Sequence, residues 1–186
     1  RNTSPEQFQQ EFECEFLGSV NTLISPAKIK NMAYENPIIS NAGLDIYEDP
    51  IKDRTYVCTV DVARGVSKDY SAFVIMDVSQ MPFKIVAKFR NNEIRPLLFP
   101  HTIEKVCKAY NHAHVLVETN DLGQQIAESL QFELEYDNLL MTTQRGRAGQ
   151  ILGAGFSGRG SGFGVKMTKQ IKKIGCANIK TLVESD

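Results

Sequence analysis

The chain has 186 residues, 42% of them hydrophobic, with a formal net charge of −1 and four cysteines. This is enough apolar content for one compact domain with its own core, and no apolar run approaches the roughly 20 residues of a membrane-spanning helix. Cys14, Cys58, Cys107 and Cys176 are far apart and lack a C-x-x-C spacing, so they read as core thiols in a reducing compartment, not as disulfides or zinc ligands.

The N-terminus, Arg1-Asn-Thr-Ser-Pro-Glu, has no secretory apolar segment, and the expectation is a soluble intracellular protein. Ser4-Pro5-Glu6-Gln7 is a helix start with Ser4 as N-cap, and Phe8, Phe12, Phe16 and Leu17 at helical spacing carry that helix to about Gly18. From Ser19 to Arg54 the periodicity weakens around Pro26, Pro37, Gly43 and Pro50. The expectation there is a short helix over 27–34 and then loop, with residues 1–54 a lead-in from an upstream module, packed on a core that starts at 55.

Thr55–Asp61, Tyr70–Val78 and Phe83–Phe89 are rich in β-branched and aromatic residues, which predicts a meander of three antiparallel strands. Ile103, Val106, Cys107 and Tyr110 mark an amphipathic helix, 114–117 a short buried strand, Ile126, Ala127 and Leu130 a helix starting near Asp121, and 139–142 a fifth strand. The β-β-β-α-β-α-β order predicts an α/β fold, a mixed sheet carrying helices on its faces. Eight of the thirteen glycines fall within Gly146–Gly164, which predicts a mobile loop or hairpin. Residues 166–174 are helical in composition, and 176–183 continue or restart that helix.

Two acids carry the chemistry. Asp61 and Glu118 each close a buried strand, where a carboxylate reaches solvent or a metal without being desolvated at mid-core. Asp61 alone also fits turn chemistry before Ala63-Arg64-Gly65, and Asp69, eight residues later, is returned close to it by the hairpin. Two strand-end acids in one sheet argue for a shared purpose. Carboxylates suit Mg²⁺, and two such ions about 3.5–4 Å apart serve in-line phosphodiester displacement. Asp121 fits a helix cap, while Arg64 is placed equally well to pair with Asp61 or to contact a scissile phosphate. His101, His112 and His114 pair with no nucleophile, and no G-x-x-x-x-G-K-[ST] phosphate cradle occurs.

The charge is divided unevenly. Between Asn138 and Val183 there is no acid, but Arg145, Arg147, Arg159, Lys166, Lys169, Lys172, Lys173 and Lys180 occur, leaving 22 acids against 13 bases elsewhere. An acidic body with a basic, glycine-rich arm predicts a polyanionic partner held through its phosphates by shape and charge.

Phe8-Gln-Gln-Glu-Phe-Glu-Cys-Glu-Phe-Leu-Gly18-Ser, Thr59-Val-Asp61-Val-Ala-Arg-Gly65 with Asp69-Tyr-Ser-Ala72, and Val117-Glu118-Thr-Asn120 together resemble the large terminase subunit of T-even type tailed bacteriophages. The resemblance spans nearly the whole chain and is to the C-terminal nuclease domain with the tail of the linker from the packaging ATPase. It implies an RNase H-like fold and cutting of concatemeric double-stranded viral DNA with Mg²⁺ or Mn²⁺ at an acidic triad. Asp61 would be the first acid and Glu118 the second, with Asp69 in the same cluster. The third belongs to a His-Asp-Asp-like motif expected beyond Asp186. The portal protein and the small terminase subunit would be partners, in the host cytoplasm. An actin-like phosphotransferase fragment and a non-catalytic DNA-binding or docking module are the competing readings.

Overall fold

A computed structural model of the protein describes residues 22–64, 69–143 and 161–184. In chain order these form α1 (Pro26–Asn31), β1 (Ile39–Asn41), β2 (Leu44–Ile46), β3 (Tyr56–Asp61), β4 (Ser71–Asp77), β5 (Lys84–Asn91), α2 (Phe99–Ala109), β6 (His114–Val117), α3 (Gly123–Glu128), β7 (Met141–Thr143), β8 (Ser161–Phe163) and α4 (Lys169–Glu184). They divide into two compact units, Asn36–Met167 and the described parts of Arg1–Glu35 with Thr168–Asp186. The helix expected over 4–18 lies outside the described residues.

The larger unit is built on a six-stranded sheet of order β1-β2-β5-β4-β3-β6. The predicted meander is present: β3 pairs antiparallel with β4, and β4 with β5. β6 returns parallel to β3, and the parallel register requires a crossover, which α2 supplies. The sheet is therefore mixed, as its sequence order predicts.

The stretch read as loop after residue 34 instead adds two strands. β1 and β2 form a hairpin closed by Ala42 (φ 49°) and Gly43 (φ 88°), the pair of positive φ angles that a two-residue hairpin turn favours. Gly43 is also pressed against β5, since a Cβ there would stand 2.5 Å from the Arg90 carbonyl oxygen. Short strands and an alanine in a left-handed position concealed this hairpin from pattern reading.

Strand alternation fixes the core. Tyr56, Cys58 and Val60 on β3, Phe73 and Ile75 on β4, Phe89 on β5, and Val115 and Val117 on β6 are buried with Phe99, Ile103 and Cys107 of α2 and Ile126 and Ala127 of α3. The Phe73, Phe89 and Phe99 rings stack, with centroids 5.1–6.2 Å apart. Tyr110 packs edge-on against Tyr56 at 5.2 Å and donates its hydroxyl hydrogen bond to the Glu48 carbonyl at 2.7 Å; burial pushes its pKa up to about 12. Cys58 and Cys107 are buried free thiols, as expected of core cysteines.

The helix predicted near Asp121 begins at Gly123 and passes at Ser129–Glu133 into a π-helical turn. The last predicted strand, β7, pairs with β8 instead of joining the large sheet along its length, although Leu139 bridges to Val115. In the smaller unit Ser25 caps α1, accepting from the Lys28 amide at 3.2 Å. α4 runs unbroken through Gly175, so 176–183 continue the helix and do not restart it.

Candidate active site

The β3–β6 register pairs Val60 with Val117, and the Glu118 amide extends it by donating to the Val60 carbonyl at 2.9 Å. Asp61 and Glu118 therefore occupy one row of the sheet. Because Val60 and Val117 point into the core and side chains alternate, both carboxylates emerge on the opposite face. Asp61 is exposed and Glu118 half-buried.

Three contacts fix the Glu118 backbone. On the flank away from β3, the Val165 amide donates to the Val117 carbonyl at 2.8 Å and the Thr119 amide to the Val165 carbonyl at 2.9 Å. Gly164 (φ 70°) allows that approach, since a Cβ there would stand 2.2 Å from the Val117 oxygen. From above, α3 begins against the same turn, and a Cβ on Gly123 would stand 1.7 Å from the Glu118 carbonyl oxygen. No side chain fits at either glycine.

The Glu118 side chain is oriented as well. Asn120 Nδ2 donates to Glu118 Oε1 at 3.0 Å and to the Met167 carbonyl at 3.1 Å. Its Oδ1 is buried and has no partner among the described residues, a rare state for a polar atom and one that calls for a missing donor or cation.

Asp121 does not cap α3, whose N-cap is Leu122 with no side-chain hydrogen bond. It adopts a left-handed conformation, φ 53°, and accepts from Arg64 Nε at 2.7 Å and Nη2 at 3.0 Å. The Arg64 guanidinium holds the Asp121 carboxyl below its usual range. Arg64 thus pairs with Asp121, through a bidentate contact, and not with Asp61. The positions are 57 residues apart, a separation beyond the reach of local pattern.

Asp69 is exposed at the bend leading into β4, at the Asp61 end of the sheet. Among the described residues no three His, Cys, Asp or Glu side chains converge on a metal-sized site. Lys166 is exposed just beyond Val165 in the larger unit. In the smaller unit Lys169, Lys172 and Lys173 are exposed on α4 at the three- and four-residue spacings of a single helix face. Arg145, Arg147 and Arg159 lie outside the described residues.

The fold has known counterparts. The large terminase nuclease of thermophilic phage G20c with bound magnesium superposes with a TM-score of 0.62 at 18% identity, covering 90% of this chain and 72% of that one. The same nuclease with bound cobalt gives 0.61 at 19%, with the same coverage. The Thermus phage P74-26 large terminase nuclease domain gives 0.55 at 20%, covering 81% and 63%. Identities this low speak for the fold. The sequence itself matches the model of the terminase RNase H-like domain over residues 58–186, more than half of the chain and both strand-end acids. On that match, the chain belongs to the terminase RNase H-like domain family.

Proposed function

We propose that this domain is the DNA-cutting part of a phage packaging terminase, a divalent-metal-dependent endonuclease that cleaves concatemeric double-stranded DNA by two-metal phosphodiester hydrolysis. The observation that carries this reading is the shared row of Asp61 and Glu118 on one sheet face. Membership of the terminase family and the metal-bound nucleases of the same fold support it, and favour it over a phosphotransferase.

The residues present fit Mg²⁺ or Mn²⁺. The donors are all oxygen, as hard cations require, and neighbouring strands about 4.8 Å apart bring two carboxylates to a common ion. Asp61 and Glu118 would hold it, with the orphaned Asn120 Oδ1 facing it directly or through water. Asp69 would act as an outer ligand. Bound cations would activate water and neutralise the leaving oxygen of an in-line displacement. The protein's own part is to orient Glu118 through Asn120 and to contact DNA phosphates with Lys166, Lys169, Lys172, Lys173, Arg145, Arg147 and Arg159. Portal protein and small terminase subunit are the partners this role calls for, in the host cytoplasm.

Asp61→Asn tests the reading. Divalent-dependent nicking of a plasmid should disappear while duplex binding is retained; cleavage at the wild-type rate would sink the assignment.

A further inference from the structure

We infer that Arg90, held against the ring of Tyr70, is a DNA-phosphate contact at the rim of the acidic site. The inference rests on the nuclease reading above. Asp61 pairs with Ala72 across β3–β4, and Ala72 with Arg90 across β4–β5. Residues directly opposite in antiparallel strands share a face, so Arg90 lies in the Asp61 row, on the Asp61 face, two strands away. At the strand spacing this is about 10 Å, roughly three nucleotides of helix rise along one DNA strand. A backbone cut at Asp61 would carry a phosphate a few nucleotides away over Arg90.

The side chain is prepared for such a contact. Arg90 Cζ lies 3.7 Å from the centroid of the Tyr70 ring, and Tyr70 is 41% exposed. The two residues form a diagonal cross-strand pair, which long side chains span. Stacking of this kind fixes the guanidinium plane while leaving its edge N–H groups free for phosphate oxygens. The Arg90 backbone is anchored too, its amide donating to the Gly43 carbonyl at 2.8 Å.

Its neighbours make the contrast. Lys88, two residues earlier on the same strand and face, sits over Tyr47 but pairs with Asp45 at 3.4 Å. Arg64 is engaged by Asp121. Among the described residues Arg90 has no carboxylate partner. An exposed cation beside clustered acids, stacked but not neutralised, suits a polyanion approaching those acids.

The test is fluorescence anisotropy of a labelled duplex with the 186-residue chain in chelator, across a salt series. Arg90→Ala should weaken binding several-fold and flatten the slope of log affinity against log salt by about 1. Arg90→Lys should restore the slope with only part of the affinity, and Tyr70→Ala should weaken binding with the slope nearly kept. An unchanged slope in Arg90→Ala, with Asp61→Asn still abolishing cleavage, would overturn this inference and leave the nuclease reading standing. A wild-type chain that binds no duplex would overturn both. If Arg90→Ala proves unfolded by circular dichroism, Arg90→Lys and Tyr70→Ala decide alone, and wild-type affinity in both refutes the contact.

Discussion

The two ends of the β3–β4 hairpin each carry an aspartate, and they are treated in opposite ways. At one end Asp77, opposite Tyr56, is buried to 4% exposure and fully answered: Arg54 pairs with it and the Ser79 amide donates to it at 2.9 Å. At the other end Asp61, opposite Ala72, is exposed and has no hydrogen-bond or ionic partner among the described residues. A carboxylate with a donor on each oxygen holds a fold together; one presented at a strand end with its lone pairs open, beside a second acid, is available to a cation. The arginines repeat the contrast, with Arg64 consumed by Asp121 and Arg90 left open over Tyr70.

Exchanging carboxylate for amide at Asp77 and at Glu118, the acid beside Asp61, should separate the roles most widely. Glu118→Gln should lower the cleavage rate by about 10²–10³-fold, the scale of losing a preorganised electrostatic group, with its urea midpoint near wild type. Asp77→Asn should do the reverse. It should cost about 1–3 kcal/mol in urea unfolding, because Arg54 and the Ser79 amide lose a charged acceptor, while the folded fraction cuts at the wild-type rate. Equal effects of both variants on stability and rate would erase the distinction.

The next largest effect concerns the support of Glu118. Gly123→Ala would drive a methyl into the Glu118 carbonyl, costing about 1–3 kcal/mol of overpacking. Cleavage per folded molecule should fall as well, because the collision moves the backbone that carries the acid. A variant with wild-type urea midpoint and rate would show that the turn gives way freely.

The smallest effect is in pH. Burial works to raise the Asp77 pKa, but hydrogen bonds from Ser79 and Arg54 outweigh it and the net shift is downward. The folded state therefore binds this proton less readily than the unfolded chain. The stabilisation is fully present above the ordinary aspartate value of about 3.9 and is lost as pH falls through the lower folded value. Urea midpoints between neutral pH and pH 3 should fall more steeply for wild type than for Asp77→Asn. Parallel curves would remove Asp77 as the cause.

Much of this was legible in one dimension. The strand-end positions of Asp61 and Glu118, the antiparallel meander, the crossover helix and the return strand all follow from period-two and helical patterns, which the backbone imposes locally. The hairpin at 39–46 escaped because three-residue strands leave too few alternations to read and Ala42 takes a conformation alanine rarely adopts. Asp121 was misread because a cap and an ion pair use the same residue type, and its partner Arg64 is distant in sequence.

By itself, then, the sequence determined which residues are candidates for the chemistry and which elements carry them, since these depend on side-chain type and local periodicity. Only tertiary structure decided that Asp61 and Glu118 stand in one row, that Gly123 and Gly164 leave no room around Glu118, and that Arg64 is taken while Arg90 is open. Those properties are set by strand register and by contacts between residues tens of positions apart, and no local pattern encodes either.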